Sequence, residues 1–295
     1  VLFTNKVFYS GFENLVESVR EFMNMRPVVI ALDDETEAYF NALHLPVARF
    51  APAAWSHGYL QDLVLRYALT YRFLLRGLRV LYSDVDVFLA GDPFRYDDPA
   101  MDVQVEPTVY DHYVCSGLFL AKPTMPSIRL FSAVVTWIRD HMAKIVRGDE
   151  HSLVFDYALR QQVDPAAPLL HLPDVALTDF EVEPLRRHGA RWSFLPVRQF
   201  MHYTAPRHAN AHKHLPRLGD APLPGEEPVV AAHIWRGGGP TPHLRILLAC
   251  MLGFWSAPTP PEDPEAPIQY ECRWCNDGWG DFIDQKRYKW CLGKI

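Results

Sequence analysis

The apolar positions of this chain fall into two rhythms that alternate along most of its length. Short runs at residues 1–4, 28–32 and 46–50 have the length of strands, and the second is continuously apolar, as a buried strand is. Between them, residues 12–25, 36–43 and 59–75 read as helices that bury one face. In the first, Phe12, Leu15, Val16, Val19 and Phe22 share a face, and Pro27 stops the helix. Gly77 stands where the third would end, since a helix C-terminus favours a residue at ease in the left-handed conformation. Strands at 101–105, 116–122 and 229–235 and helices at 126–145 and 150–160 continue the pattern. The alternation predicts an α/β protein: one Rossmann-like domain with a mixed, mainly parallel central sheet and helices on both faces.

Residues 78–89 break the apolar rule in an informative way. Two apolar runs flank Asp84 and Asp86, one residue apart. Read as a strand, the segment points both carboxylates to one side, so they can converge on a hard divalent cation, Mg²⁺ or Mn²⁺, that also grips phosphate oxygens. The competing reading is a solvated turn with two incidental acids; burying acids in an apolar segment is costly unless they have a partner. Ligands of parallel sheets bind beyond the carboxyl ends of the strands, where Asp33, Asp34, Asp84 and Asp86 all fall.

Composition narrows the function classes. Apolar residues make up 49% and charged residues 22%, as in ordinary folded proteins. The net charge of −6, without a long basic block, argues against a nucleic-acid partner. No apolar stretch is long enough to span a membrane, and the run at 244–255 reads as a buried helix. Any anchor is expected to lie outside this chain. Residues 1–255 are expected to form the catalytic domain, 256–267 a Pro- and acid-rich linker, and 268–295 a Cys/Trp-rich tail. In that tail Cys272, Cys275 and Cys291 leave a disulfide, free thiols or zinc open, with the disulfide preferred.

The stretches 5–18, 28–33, 76–93 and 115–124, in that order, resemble the nucleotide-diphospho-sugar transferases of plants and algae. That group includes pectin xylosyltransferases and extensin arabinosyltransferases. The closest likeness is Arg76-Gly77-Leu78 through Leu89, closed by Asp92-Pro93. Asp149-Glu150 stands where the family often carries Asp-Gln, and the tail beyond Pro258 has no counterpart.

The resemblance implies a GT-A glycosyltransferase that takes a nucleotide sugar, a UDP-sugar foremost, and acts with retention on a glycan or glycoprotein acceptor. It also implies residence in the Golgi lumen. Asp86 is then the main metal carboxylate, and Asp84 contacts metal or ribose. His233 is the candidate third ligand among 13 histidines; its competing reading is a hydrogen-bonded core histidine. Arg236 and Gly237 are candidates for the pyrophosphate, or members of an ordinary glycine turn. Asn5 and Asp33 are placed at the nucleoside, with a helix N-cap as the other reading of Asp33. Asp149 and Glu150 are candidates for orienting the sugar or stabilising a cationic centre, or simply an acidic helix start.

The basic stretch 202–217 is read as a surface loop or a lid, and Trp192, Trp235 and Trp255 as core or sugar-stacking residues. Two rivals stay open. A haloacid-dehalogenase-like phosphatase would use Asp84 as nucleophile and Asp86 as acid/base. A silent carbohydrate-binding protein would keep the fold without the reaction.

Overall fold

A computed structural model describes residues 2–4, 9–49, 59–107, 114–141, 150–160, 182–203 and 227–234. The chain divides into two compact units, each assembled from separated stretches. The first comprises Val1–Ala51, Asp84–Arg95 and Pro196–Ile295, and the second Pro52–Ser83 and Tyr96–Leu195.

The first unit opens with strand–helix alternation. β1 (Leu2–Thr4), α1 (Tyr9–Met23), β2 (Val29–Ala31), α2 (Asp34–Ala42) and β3 (Val47–Arg49) follow one another, and the strands pair in parallel in the order β1-β2-β3. α2 begins at the N-cap Asp33, whose Oδ1 accepts the Thr36 N–H at 2.7 Å. It ends in a reciprocal pair: the His44 N–H donates to the Asn41 carbonyl and the Leu45 N–H to the Phe40 carbonyl, with His44 at φ 56°. The unit's second sheet, β5 (Val87–Leu89), β10 (Ala231–Ile234) and β9 (Phe200–Tyr203), has β10 in the middle, antiparallel to β5 and parallel to β9. α1 packs on β5.

The second unit holds the longest helices. α3 (Tyr59–Leu75) leads into β4 (Val80–Ser83) through Gly77, at φ 75°, with the Leu78 N–H on the Phe73 carbonyl. β6 (Val103–Pro107), β7 (Val114–Ala121) and β8 (Trp192–Phe194) complete a sheet ordered β4-β7-β6-β8. β7 runs antiparallel to both neighbours, with a bulge at Val105/Glu106, and β8 joins β6 in parallel. α4 (Met125–Asp140), capped by Thr124, packs on α3 and on α5 (Glu150–Arg160). The core is aromatic. Tyr67, Phe119, Phe131 and Phe155 are fully buried and touch ring to ring, and Tyr82 stacks on Phe119 at 5.0 Å. Burying each such ring contributes on the order of 2–3 kcal/mol.

The α/β class with mixed sheets expected of a GT-A fold is borne out. Three local expectations differ. The strand at 78–89 is two strands separated by a turn. α4 stops at Asp140, where His141 leaves the helical conformation, instead of running to 145. β8 and β9 went unpredicted.

Candidate metal centre

β4 ends at Ser83, and the chain turns at once. The Asp84 carbonyl accepts the Val87 N–H at 3.1 Å, so Asp84-Val85-Asp86-Val87 is a four-residue turn and not a strand. The strand-based reason for convergence of the two carboxylates is therefore corrected: the turn, not the pleat, aims them. Val87, Phe88 and Leu89 that follow are wholly buried and anchor the turn. Asp86 is buried, at 6% exposure, and Asp84 is half-buried.

The third group comes from far along the chain. β10 lies antiparallel to β5 with Ala231 opposite Leu89, Ala232 opposite Phe88 and His233 opposite Val87. The Ala90 N–H donates to the Val230 carbonyl at 2.7 Å and extends the pairing. That register sets the imidazole beside the turn. His233, 3% exposed, places Nε2 3.2 Å from Asp86 Oδ1. One ligand atom each from Asp84, Asp86 and His233 lies within 4.8 Å of the others.

These spacings suit a cation. Around an ion with bonds of about 2.1 Å, adjacent octahedral ligand atoms sit about 3 Å apart and opposite ones about 4.2 Å. The 3.2 Å between His233 Nε2 and Asp86 Oδ1 fits adjacent ligands of such an ion, and two carboxylates with one imidazole form a donor set for a divalent cation. The two readings of His233 meet in a single contact. It is a buried histidine satisfied by a carboxylate, and that carboxylate belongs to the candidate centre.

The other predicted residues fall differently. Asp33 is the cap of α2, so one of its oxygens is engaged by Thr36. Asp34 opens the same helix and accepts from Arg49 Nε at 3.0 Å, while Arg49 Nη1 donates to the Ala31 carbonyl at 3.2 Å. Arg49 thus ties the carboxyl ends of β2 and β3 together. The sequence reading missed it, because one arginine closing a short strand carries no motif. Asn5, Asp149, Arg236 and Gly237 lie outside the described residues, as do Cys272, Cys275, Cys291, Trp235 and Trp255. Glu150 is the first residue of α5, with its side chain likewise outside the description. Trp192 is half-buried on β8, edge-on to Phe194 at 5.2 Å.

No curated protein matches this chain. The profile of one family, the nucleotide-diphospho-sugar transferases, matches residues 24–221. The matched span includes the Asp84–Asp86 turn and stops short of His233, so the imidazole rests on geometry alone. It displaces the phosphatase reading, which shares only the two aspartates. A match over well more than half its length means that the chain belongs to the nucleotide-diphospho-sugar transferase family, glycosyltransferases that draw on a nucleotide-sugar donor.

Proposed function

We propose that this glycosyltransferase takes its sugar from a UDP-sugar and passes it, with retention, to a hydroxyl of a glycan or glycoprotein. A divalent cation, Mn²⁺ ahead of Mg²⁺, would be held by Asp84, Asp86 and His233. The observation that carries this reading is the convergence of those three side chains within 4.8 Å. An imidazole nitrogen among the ligands favours Mn²⁺ over Mg²⁺.

A cation bound there supplies Lewis-acid stabilisation of the charge that grows on the departing diphosphate. The protein's own part is to hold the ligands in place. Asp86 is buried against His233, and Asp84, more open, can serve ribose or ion. Asn5 and Asp33 are assigned to the nucleoside, Arg236 and the Gly237 backbone to the pyrophosphate, and Asp149 and Glu150 to the sugar hydroxyls. In the transfer, the bond from the anomeric carbon to the diphosphate oxygen breaks and a bond to the acceptor oxygen forms. The acceptor proton leaves with the UDP. Family kinship and the cysteine-rich tail favour the lumen of the Golgi, with any membrane anchor outside this chain.

The test is UDP release from a panel of UDP-sugars, with and without Mn²⁺, for wild type and Asp86→Ala. Release from one donor should depend on Mn²⁺ and fall about hundredfold or more in the variant. Release that is metal-independent and equal in both proteins would overturn the metal assignment. No turnover of any donor, with UDP and Mn²⁺ still bound in calorimetry, would instead mark a carbohydrate-binding protein that has kept the fold.

A further inference from the structure

The three parallel strands of the first unit stop in one row. Thr4 of β1 stands beside Ala31 of β2, and Ala31 stands beside Arg49 of β3. The chain that leaves β2 there is rich in carboxylates: Asp33 caps α2, and Asp34, Glu35 and Glu37 fill its first turn. These acids answer the positive pole of their own helix and would repel a diphosphate brought close to it. A base and a ribose carry no charge and offer N–H and O–H donors, so they suit this end better than phosphate does.

Arg49 brings a positive charge to the same place, and its guanidinium turns back across β2. Nη1 donates to the Ala31 carbonyl at 3.2 Å, Nε donates to Asp34 Oδ1 at 3.0 Å, and Glu37 Oε2 lies 3.9 Å from Nε. Between Ala31 and Asp34 the chain makes a two-residue bend, Leu32-Asp33. The arginine therefore grips the residue before the bend and the residue after it. Its planar fork fixes the angle between those two bonds, so the bend is held at both ends by one rigid group. As a source of stability the arrangement is poor, because the Asp34 side chain is 94% exposed and ion pairs in water contribute little. What it supplies is geometry.

We propose that Arg49 is a positioning residue of the nucleoside site: it fixes the Leu32-Asp33 bend so that the bend can tell one base from another. This role rests on the reading of Asp33 as a nucleoside residue. Arg49 acts through Ala31 and Asp34 and leaves the diphosphate to the cation at Asp84, Asp86 and His233. A hydrogen-bonding group that must match the edge of a base loses its discrimination when its support is left loose. Removal of the guanidinium should therefore weaken the preferred nucleotide and leave the disfavoured ones much as they were.

The experiment is calorimetric titration of the full chain with UDP, GDP, CDP and ADP, each with Mn²⁺, for wild type and variants. Wild type is expected to bind UDP tightest. Arg49→Gln should weaken UDP about tenfold and change the other three little, so that the preference collapses. Arg49→Lys should recover little of it, since one ammonium lacks the fork that spans both acceptors. Asp34→Ala should lose part of the preference and add nothing to the loss in Arg49→Gln, because the two changes remove the same bond. Urea midpoints of all these variants should stay close to wild type. Equal weakening of all four nucleotides would overturn the proposal and assign the guanidinium to the diphosphate they share. An intact preference in Arg49→Gln, full recovery in Arg49→Lys, or no preference in wild type would overturn it as well. A wild-type preference for another base would sink the UDP reading alone, and loss of that preference in Arg49→Gln would still support the role of Arg49. Binding of none of the four would overturn both.

Discussion

His188 shows how a buried residue can be held in one protonation state by its neighbours. It is 2% exposed, with Nε2 2.8 Å from the Ala158 carbonyl and Nδ1 accepting the Ala190 N–H at 3.0 Å. The carbonyl requires a proton on Nε2 and the N–H requires a lone pair on Nδ1, so the neutral ring alone satisfies both. Burial lowers its pKa below the usual 6.5, against a smaller upward pull from the Ala158 carbonyl. The unfolded chain therefore takes up the proton first as pH falls. Stability from neutral His188 is complete above 6.5 and is lost as pH drops from there towards the folded value. Urea midpoints from pH 7.5 to 5 should fall in wild type and fall less in His188→Gln. Asp156 has the opposite sign, because burial raises its pKa above 3.8 despite its bonds from Arg160 and the Val114 N–H. Its contribution is present at low pH and lost as pH rises through its folded value.

At the scale of elements, helix ends rather than helix interiors carried the readable signals. Tyr59–Leu75 and Glu150–Arg160 match their predicted limits, the first because Gly77 supplies the left-handed residue its end needs. α4 was overextended because Trp137 and Ile138 keep the apolar spacing up to its end, where His141 folds back with its ring on Trp137. β8 and β9 escaped since strands of three and four residues are defined by their partners β6 and β10, not by a pattern of their own. The Asp33 cap gives a clean test of two roles. Asp33→Ala should cost about 1 kcal/mol in urea denaturation, while Asp33→Ser, which can still cap, should stay within a few tenths. Weaker UDP binding in the serine variant would assign the carboxylate to the nucleoside as well; unchanged binding would confine it to the cap.

At the scale of the whole molecule, all three groups of the candidate metal centre were named from the sequence, on unequal grounds. The aspartates announce themselves because acids are rare between two apolar runs. His233 was chosen through the family resemblance and its place after a strand, and the pairing of β10 with β5 is what sets it beside the aspartates. Ligands drawn from a turn and from a distant strand would make a bound ion a fastener within the first unit. Saturating Mn²⁺ should raise the melting temperature by several degrees, as binding at about 100-fold over Kd adds about 2.7 kcal/mol. The shift should vanish in His233→Ala and in Asp84→Ala, read by differential scanning fluorimetry.

The same pairing has a consequence for the order in which the protein is made. The aspartate turn leaves the ribosome early, and the strand that carries its histidine leaves long afterwards. During that interval Asp86 has no imidazole beside it, and β5 has an unpaired edge awaiting β10. Such a long-range closure is slow to find, so nascent chains halted before Ala231 should be the form that chaperones hold.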